Sequence, residues 1–401
     1  MAKRRKSVCI ISFSWVAGDA RVLRQVEYLS PHYDVTVVGE GEAHPSWPAG
    51  GAVTWRQIPP IRAGGGLRRL PLRLAGLALL LAGKAHPDSY LRWYWRQPIM
   101  RDTFELAKAG GHDAYHANDW NALPIAAEAA TASGARLVFD AHEYAPLEWE
   151  NRRVWRMLYS PMIGHVLRRY GPRADATTTV ASAIADRYRR EYGLDPVVVM
   201  NAPARNGLLP NREGDFNNIR LIHHGAAIPD RRLEDMIAAL AECDRRYSLY
   251  FMLTGGESAY VRRLKRVAGE LAAGRVTFLD PVATERVVEA VSEFDLGLCY
   301  IAPTNYNYYV SLPNKFFDFI AAGLPVCIGP SPSMAEVVRS YGLGCIARSF
   351  EPRDIAAALN SLGADELARM RRGARAAAAE VNAEREMGKL VRIYQNLLSG
   401  E

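Results

Sequence analysis

The sequence predicts an α/β protein built from two parallel-sheet domains, and three observations carry that reading. Short apolar runs rich in Val, Ile, Leu and Phe alternate with helical patterns along almost the whole chain, as strands buried on both faces and their crossover helices do. A polar stretch, ARNGLLPNREGDFNN at 204–218, interrupts the rhythm, after which it restarts. The length, 401 residues, exceeds what one ordinary core accommodates.

Taken in order, VCIISF (8–13) is the first continuous apolar run. The loop WVAGDA follows, with Asp19 placed to cap a helix whose stripe is Val22, Leu23, Val26 and Leu29. Further strands are expected at 34–39, 53–58, 113–117, 136–142, 176–182 and 196–203, with helical patterns between most of them. After the linker come 219–225, 248–256, 275–279, 295–301, 325–329 and 344–347. The expected domains are 1–205 and 218–380, both Rossmann-like, with a helical tail over 381–401 that can pack back on the first. Strand C-termini of such sheets, and their loops, would share one cleft. The linker and the C-terminal helical segment are the places where the two halves can hinge.

Composition narrows function only coarsely. The net charge of +7 suits an anionic substrate, nucleic acid or an acidic membrane surface. The arginines are dispersed and no nucleic-acid motif stands out. Five cysteines lie scattered without a C-x-x-C pair, which suits a reducing, cytoplasmic setting. The opening MAKRRKSVCIISFSW is basic and then apolar, and reads as a first strand rather than a signal peptide. His112 and His116 have metal-ligand spacing only on a helix, and their segment reads as strand and loop, so no metal is expected.

Two segments carry candidate chemistry. The stretch SLPNKFFDFIAAGLPVCIG (311–329) reads as a loop, a short helix, a glycine stop and a buried strand. A helix start is a ready anion site. Lys315 on its first turn and Asp318 one turn later can take the phosphates and the ribose hydroxyls of a nucleotide. The alternative is a local surface pair at i,i+3. The second segment, 66–101, runs from paired arginines into ten uncharged residues, Leu74 to Gly83, and then into YLRWYWRQPIMR. Ten residues do not span a bilayer. Leu70, Leu74, Leu77 and Leu81 share a helical face with Arg69 and Arg73 beside them. That pattern fits an interfacial membrane helix on the inner face of a membrane, or a core helix on the first sheet with snorkelling arginines.

These segments, in their order, resemble a family. DAHEYAPLEWE (140–150), VVVMNAP (197–203) and SLPNKFFDFIAAGLPV look like the family 4 (group 1) retaining glycosyltransferases of GT-B architecture. SFSWVAGDARVLRQVEYL and YHANDWNALPIAAEAA are similar to its first loop and helix and to a later strand-end segment. The resemblance implies a nucleotide-sugar donor, UDP- or GDP-linked, bound mainly by the second domain. Asp318 matches the second acid of the family's Glu-x7-Glu signature and is expected on the ribose. The first acid would fall at Val310, a departure from the motif. A subgroup with Ser-x-Pro-x-Lys looks closer, with Ser311, Asn314 and Lys315 as polar contacts. Glu336 matches the acid after the Pro-Val strand; as part of Ser333-Met334-Ala335-Glu336 it also reads as a capping box. Arg231 or Arg232 takes the family's diphosphate lysine position, with Asp230 capping the helix behind, and Arg231 is preferred. Gly225 lets backbone approach phosphate, Gly255 and Gly256 form a further strand-end loop, and Val282 in DPVA (280–283) lies where main-chain atoms hold the base.

From the first domain the resemblance places Trp15, Gly18 and Asp19 near diphosphate and acceptor, with Arg21 behind them. His142 matches a strand-end histidine that lines the donor sugar. Glu143 bonds acceptor hydroxyls or fixes the His142 tautomer. His116 and Asp119 are secondary acceptor-side candidates. The implied reaction moves a hexose to an acceptor hydroxyl or amine with retention, by same-face attack, with His142, Lys315 and Arg231 as the catalytic groups. The expected pathway makes polysaccharide, glycolipid or antibiotic-type glycosides. The alternatives are a nucleotide-sugar epimerase or hydrolase of the same fold, and a non-catalytic membrane-associated relative.

Overall fold

The computed structural model describes residues 4–47, 51–59, 70–205 and 215–399, with the side chains of 70–72 outside that set. Arg69 and the start of the 66–101 insertion, and most of the linker expected at 204–218, lie outside the described residues. The chain divides into two units. One is Met1–Met200 with Met387–Glu401; the other is Asn201–Glu386.

The first unit holds a seven-stranded sheet. Its strands are β1 (Ser7–Trp15), β2 (Asp34–Glu40), β3 (Val53–Gln57), β4 (Ala114–Asn118), β5 (Arg136–Ala141), β6 (Ala176–Thr179) and β7 (Val197–Val198). They run in the order β3-β2-β1-β4-β5-β6-β7, every pairing parallel. The register sets Ile10 beside His116 and His116 beside Val138, so the central strands end level with one another. The eight-residue run expected at 196–203 pairs over only Val197 and Val198. It lies at the sheet edge, where a single neighbour holds it.

The second unit holds six strands: β8 (Ile219–Ala226), β9 (Tyr247–Thr254), β10 (Val276–Leu279), β11 (Leu296–Cys299), β12 (Val326–Ile328) and β13 (Gly344–Ile346). Their order is β10-β9-β8-β11-β12-β13, again all parallel. Both sheets reverse direction of growth at the first strand of the unit, which makes each a Rossmann-like, doubly wound sheet. Its core joins Leu221, Leu249, Phe251 and Leu298 to Ile355 and Met370.

Local chemistry explains several boundaries. Asp19 caps the helix Ala20–Leu29 by accepting the Arg21 and Val22 backbone N–H groups, as its position in the sequence predicts. Two other expected caps fail. The helix near 333 begins at Pro332, not at Ser333, and Ser333 donates its hydroxyl to the Val310 carbonyl at 2.7 Å instead. Ser333 and Glu336 therefore do not form a capping box. Asp230 belongs to a short 3-10 turn, Pro229–Arg231, and the next helix, Glu234–Glu242, is entered through Leu233 without a side-chain cap.

The insertion forms three helices, Leu70–Ala82, Asp88–Arg96 and Pro98–Lys108. The face expected to be either interfacial or core is turned outward: Leu74, Leu77 and Leu81 are exposed at 57%, 42% and 49%, whereas Leu80 is buried. The core-helix alternative fails on those three residues. Among the described residues no helix is long and apolar enough to cross a membrane.

The terminal helix Ala383–Leu398 supplies Met387, Leu390 and Tyr394 to the core formed by Val8, Ile10, Val22, Val26 and Val35 of the first unit. Truncating Leu390 to Ala leaves a cavity under that sheet. The expected loss is about 2–4 kcal/mol in urea unfolding; a loss under about 0.5 kcal/mol contradicts this packing.

Candidate functional site

The polar side chains of the first unit converge on one buried carboxylate. Asp140 ends β5 and is fully buried. Arg21 grips it through both guanidinium branches, Nε to Oδ2 at 2.7 Å and Nη2 to Oδ1 at 2.6 Å. Gln25 Nε2 donates to Oδ2 at 2.6 Å, and the Thr178 hydroxyl to Oδ1 at 2.6 Å. Arg21 also reaches the Val199 carbonyl at 2.7 Å. One helix, β5, β6 and the segment after β7 are thus tied at a single point. Burial alone would raise the Asp140 pKa, but Arg21 and His142 together hold it well below the usual carboxylate range.

His142 completes this cluster. Its Nε2 lies 2.9 Å from Asp140 Oδ2, and its Nδ1 lies 3.3 Å from Asp119 Oδ2. Asp119 also accepts the His142 backbone N–H at 3.1 Å. Burial lowers the imidazole pKa, yet the two carboxylates outweigh it and push the group up to about 9. His142 is therefore an imidazolium at neutral pH, with both ring nitrogens donating. Asp119 holds this geometry from a strained backbone, φ 64° where the helix Asp119–Ser133 begins after β4, which a non-glycine residue adopts at a cost of about 1–2 kcal/mol. The groups that orient His142 are Asp119 and Asp140. Glu143 offers its backbone carbonyl to the Tyr188 hydroxyl at 2.9 Å, and its carboxyl is pushed up to about 7 by desolvation and by the charges of Glu148 and Asp119.

His116 is wholly buried, with Nδ1 2.8 Å from the Tyr394 hydroxyl and Nε2 3.9 Å from Asp140. It belongs behind the cluster rather than on its surface. Trp15 is the opposite, 66% exposed, with its ring lying over Gly18: a Cβ there would sit 2.7 Å from the indole. The close approach that Gly18 permits in this structure is that of Trp15.

The second unit builds its site around Lys315. The amine sits at the start of the helix Asn314–Ala321 and is only 5% exposed, so Lys315 is not half of a surface pair. Its Nζ lies 2.7 Å from His223 Nε2, while His223 Nδ1 lies 2.8 Å from the Leu298 carbonyl. A carbonyl only accepts, so Nδ1 carries the proton and the neutral Nε2 accepts from Lys315. Burial, and next Lys315 itself, keep His223 well below its ordinary value. Burial, with help from Arg231 and against Asp318, pushes Lys315 down to about 7. Beneath the amine lies Gly225, at φ 111°; a Cβ there would stand 3.7 Å from Nζ. Asp318 lies one turn on, its Oδ2 3.4 Å from His224 Nε2.

The remaining candidates take varied places. Asn314 accepts from Asn201 Nδ2 at 2.8 Å, and Ser311 donates to the Tyr308 carbonyl at 3.0 Å. Val282, after β10, is 37% exposed, and Glu336 is exposed. Val310, where the family motif would place an acid, is buried. Among the described residues no group of three or more His, Cys, Asp or Glu side chains is disposed to hold a metal ion. The residues that sequence reading missed are Asp140, Gln25, Thr178, His223 and His224. A lone Asp at the end of an apolar run and a His pair before Gly225 were the available signals.

Two parallel doubly wound units are the architecture of the GT-B class. Glycosyltransferase Family 4 matches residues 20–202, and Glycosyl transferases group 1 matches residues 218–365. The chain is an enzyme of the family 4/group 1 type of GT-B glycosyltransferases. No curated protein matches it significantly in sequence. Among solved structures it is similar to Anabaena HepE in complex with UDP-glucose (TM-score 0.68, 16% identity, covering 98% of this chain and 100% of that one). It is also similar to sucrose-phosphate synthase from Thermosynechococcus elongatus (0.72, 14%, 99% and 100%) and to an α,α-trehalose-phosphate synthase (UDP-forming) from Burkholderia vietnamiensis (0.63, 12%, 98% and 100%).

Asp140→Asn tests the cluster. The amide leaves the Arg21 charge buried without its partner, and the expected loss is about 3–5 kcal/mol. In the unaltered protein, NMR titration of His142 is expected to give a pKa near 9. The stabilisation from this raised group is complete below the unfolded value of 6.5 and is lost as pH rises through about 9. A measured pKa at or below 6.5 contradicts the arrangement.

Proposed function

We propose that this enzyme transfers a hexose from a nucleoside-diphosphate sugar, UDP-linked in the first instance, to an acceptor hydroxyl or amine with retained anomeric configuration. The observation that supports it best is the buried Lys315 amine over Gly225 at a helix start. A buried amine with a pKa near 7 gains most from a dianionic partner. A diphosphate at this place recovers the charged form of the lysine and uses the N–H groups of the helix start. The UDP complexes of HepE and the UDP-forming trehalose-phosphate synthase support UDP over GDP.

In this reading Lys315 and Arg231 neutralise the leaving diphosphate, and no metal ion is needed for that step. Asp318 takes the ribose hydroxyls. Gly225 lets the backbone approach the phosphates, and Val282 lies beside the base. Asn314, Ser311 and Glu336 are secondary donor contacts. The C1–O bond to the diphosphate breaks as the new bond from C1 to the acceptor oxygen, or nitrogen for an amine, forms on the same face. The acceptor proton passes to the leaving phosphate oxygen, through an oxocarbenium-like transition state.

His142 acts as a fixed cationic donor beside the sugar. As an imidazolium it is not the general base. Trp15, Gly18, Asp19, His116, Asp119 and Glu143 make up the acceptor-side group, with His116 behind it. The outward Leu74, Leu77 and Leu81 favour an acceptor carried on a lipid and a cytoplasmic enzyme peripheral to the membrane.

Lys315→Met is expected to lower kcat/KM by about 2–4 kcal/mol in barrier. Removing the buried amine relieves its desolvation but leaves His223 Nε2 unpaired, two opposed effects, so stability at pH 7 should change by no more than about 1–3 kcal/mol. Turnover of a panel of UDP-, GDP- and ADP-sugars, with membrane extract as acceptor source, reads the effect. A folded Lys315→Met variant with near-full turnover contradicts the assignment, and release of free sugar without any acceptor favours a hydrolase.

A further inference from the structure

The first unit carries a second cationic recess, lined by none of the residues of the strand-end cluster. It is a cavity of about 490 Å³, lined by Gly83, Lys84, Tyr90, Arg156, Met157 and His165, with Arg168 beside them. That volume falls within the about 300–1,000 Å³ typical of small-ligand sites. Its cations are Lys84, Arg156 and Arg168, and no carboxylate lines it. Among the described residues none of the three forms an ion pair, though Arg168 packs over the Tyr192 ring at 5.9 Å. His165 is held below its ordinary value, mainly by burial, and its Nε2 is buried without a hydrogen-bond partner. Buried nitrogen atoms normally have one.

The rim of the recess is apolar and exposed. Met157 is 55% exposed and Val154 63%, both at the π-helical turn Trp155–Tyr159. The helix Leu70–Ala82 touches this turn, and its exposed Leu74, Leu77 and Leu81 lie on the helix that runs directly into Gly83 and Lys84. Charge is one-sided as well. Segments 70–101 and 151–169 together contain ten Lys and Arg residues against one acid, Asp88. Exposed leucines beside unpaired cations and tryptophans are the elements of interfacial binding to anionic lipid.

We infer that this recess binds the phosphate of an anionic phospholipid headgroup while Leu74, Leu77, Leu81 and Met157 enter the acyl boundary. The inference rests on the peripheral-membrane reading above and adds a headgroup socket to it. Lys84, Arg156 and Arg168 supply the charge. The occupant is a lipid in a bilayer, because the apolar rim would gain nothing from a free phosphate in water.

Cosedimentation with vesicles of phosphatidylglycerol and phosphatidylcholine, against pure phosphatidylcholine, tests it. Lys84 and Arg156 are exposed, so the double variant Lys84→Gln/Arg156→Gln should fold, with circular dichroism as control. Removing both charges is expected to weaken partition onto the anionic vesicles on the order of 30-fold. Raised salt should weaken the unaltered protein too. Leu77→Asp/Leu81→Asp should abolish partition. If the leucine variant loses binding and the cation variant does not, the socket is wrong and the membrane reading survives. If the unaltered protein binds both vesicles equally, the socket is wrong and the membrane reading stands; if it binds neither, both readings fall.

Discussion

The structure of the second unit depends on one constraint: a lysine amine held in the interior against a neutral imidazole. Lys315 reaches His223 at 2.7 Å, and His223 is fixed in turn by the Leu298 carbonyl. Three elements, the helix after residue 313, β8 and β11, are joined by these two hydrogen bonds. Burial of an amine disfavours its charged form, so the free protein stores an unfavourable term that an anion relieves. Gly225 matters for the same reason: its missing side chain leaves space above the backbone beside the amine, the space proposed for the diphosphate.

The first unit solves the opposite problem. Asp140 is a buried anion, and its charge is met in full by Arg21, Gln25, Thr178 and His142. Pairs of this kind contribute little net stability but are costly to break. Their value here is geometric. Because Asp140 and Asp119 bracket His142, its ring is held in one orientation and its pKa is raised to about 9.

Much of the fold was legible in the sequence because both sheets are parallel and buried. Central strands covered on both faces, such as β1 and β2, read as apolar runs, and each of the thirteen expected segments contains a strand, including the polar and half-exposed β3. Of these, β7 shrinks to two residues at an edge, a matter of partners that no run reveals. The site was less legible. Asp140 looked like the polar end of a strand, because its partners lie between 2 and 119 positions away in the chain. His223 was hidden in a doublet before a glycine. The Ser333 cap was misjudged because Pro332 starts the helix one residue earlier and frees the hydroxyl for Val310. The outward face of the leucine helix was open to two readings, since periodicity marks a face without saying what meets it.

The most direct measurement is the pKa of the Lys315 amine, read by NMR of the side-chain carbon next to Nζ, in the free protein and with UDP. The account predicts a value near 7 for the free protein and a rise of at least one unit when the diphosphate binds. A free value near 10.5, or a value that UDP leaves unchanged, would contradict it.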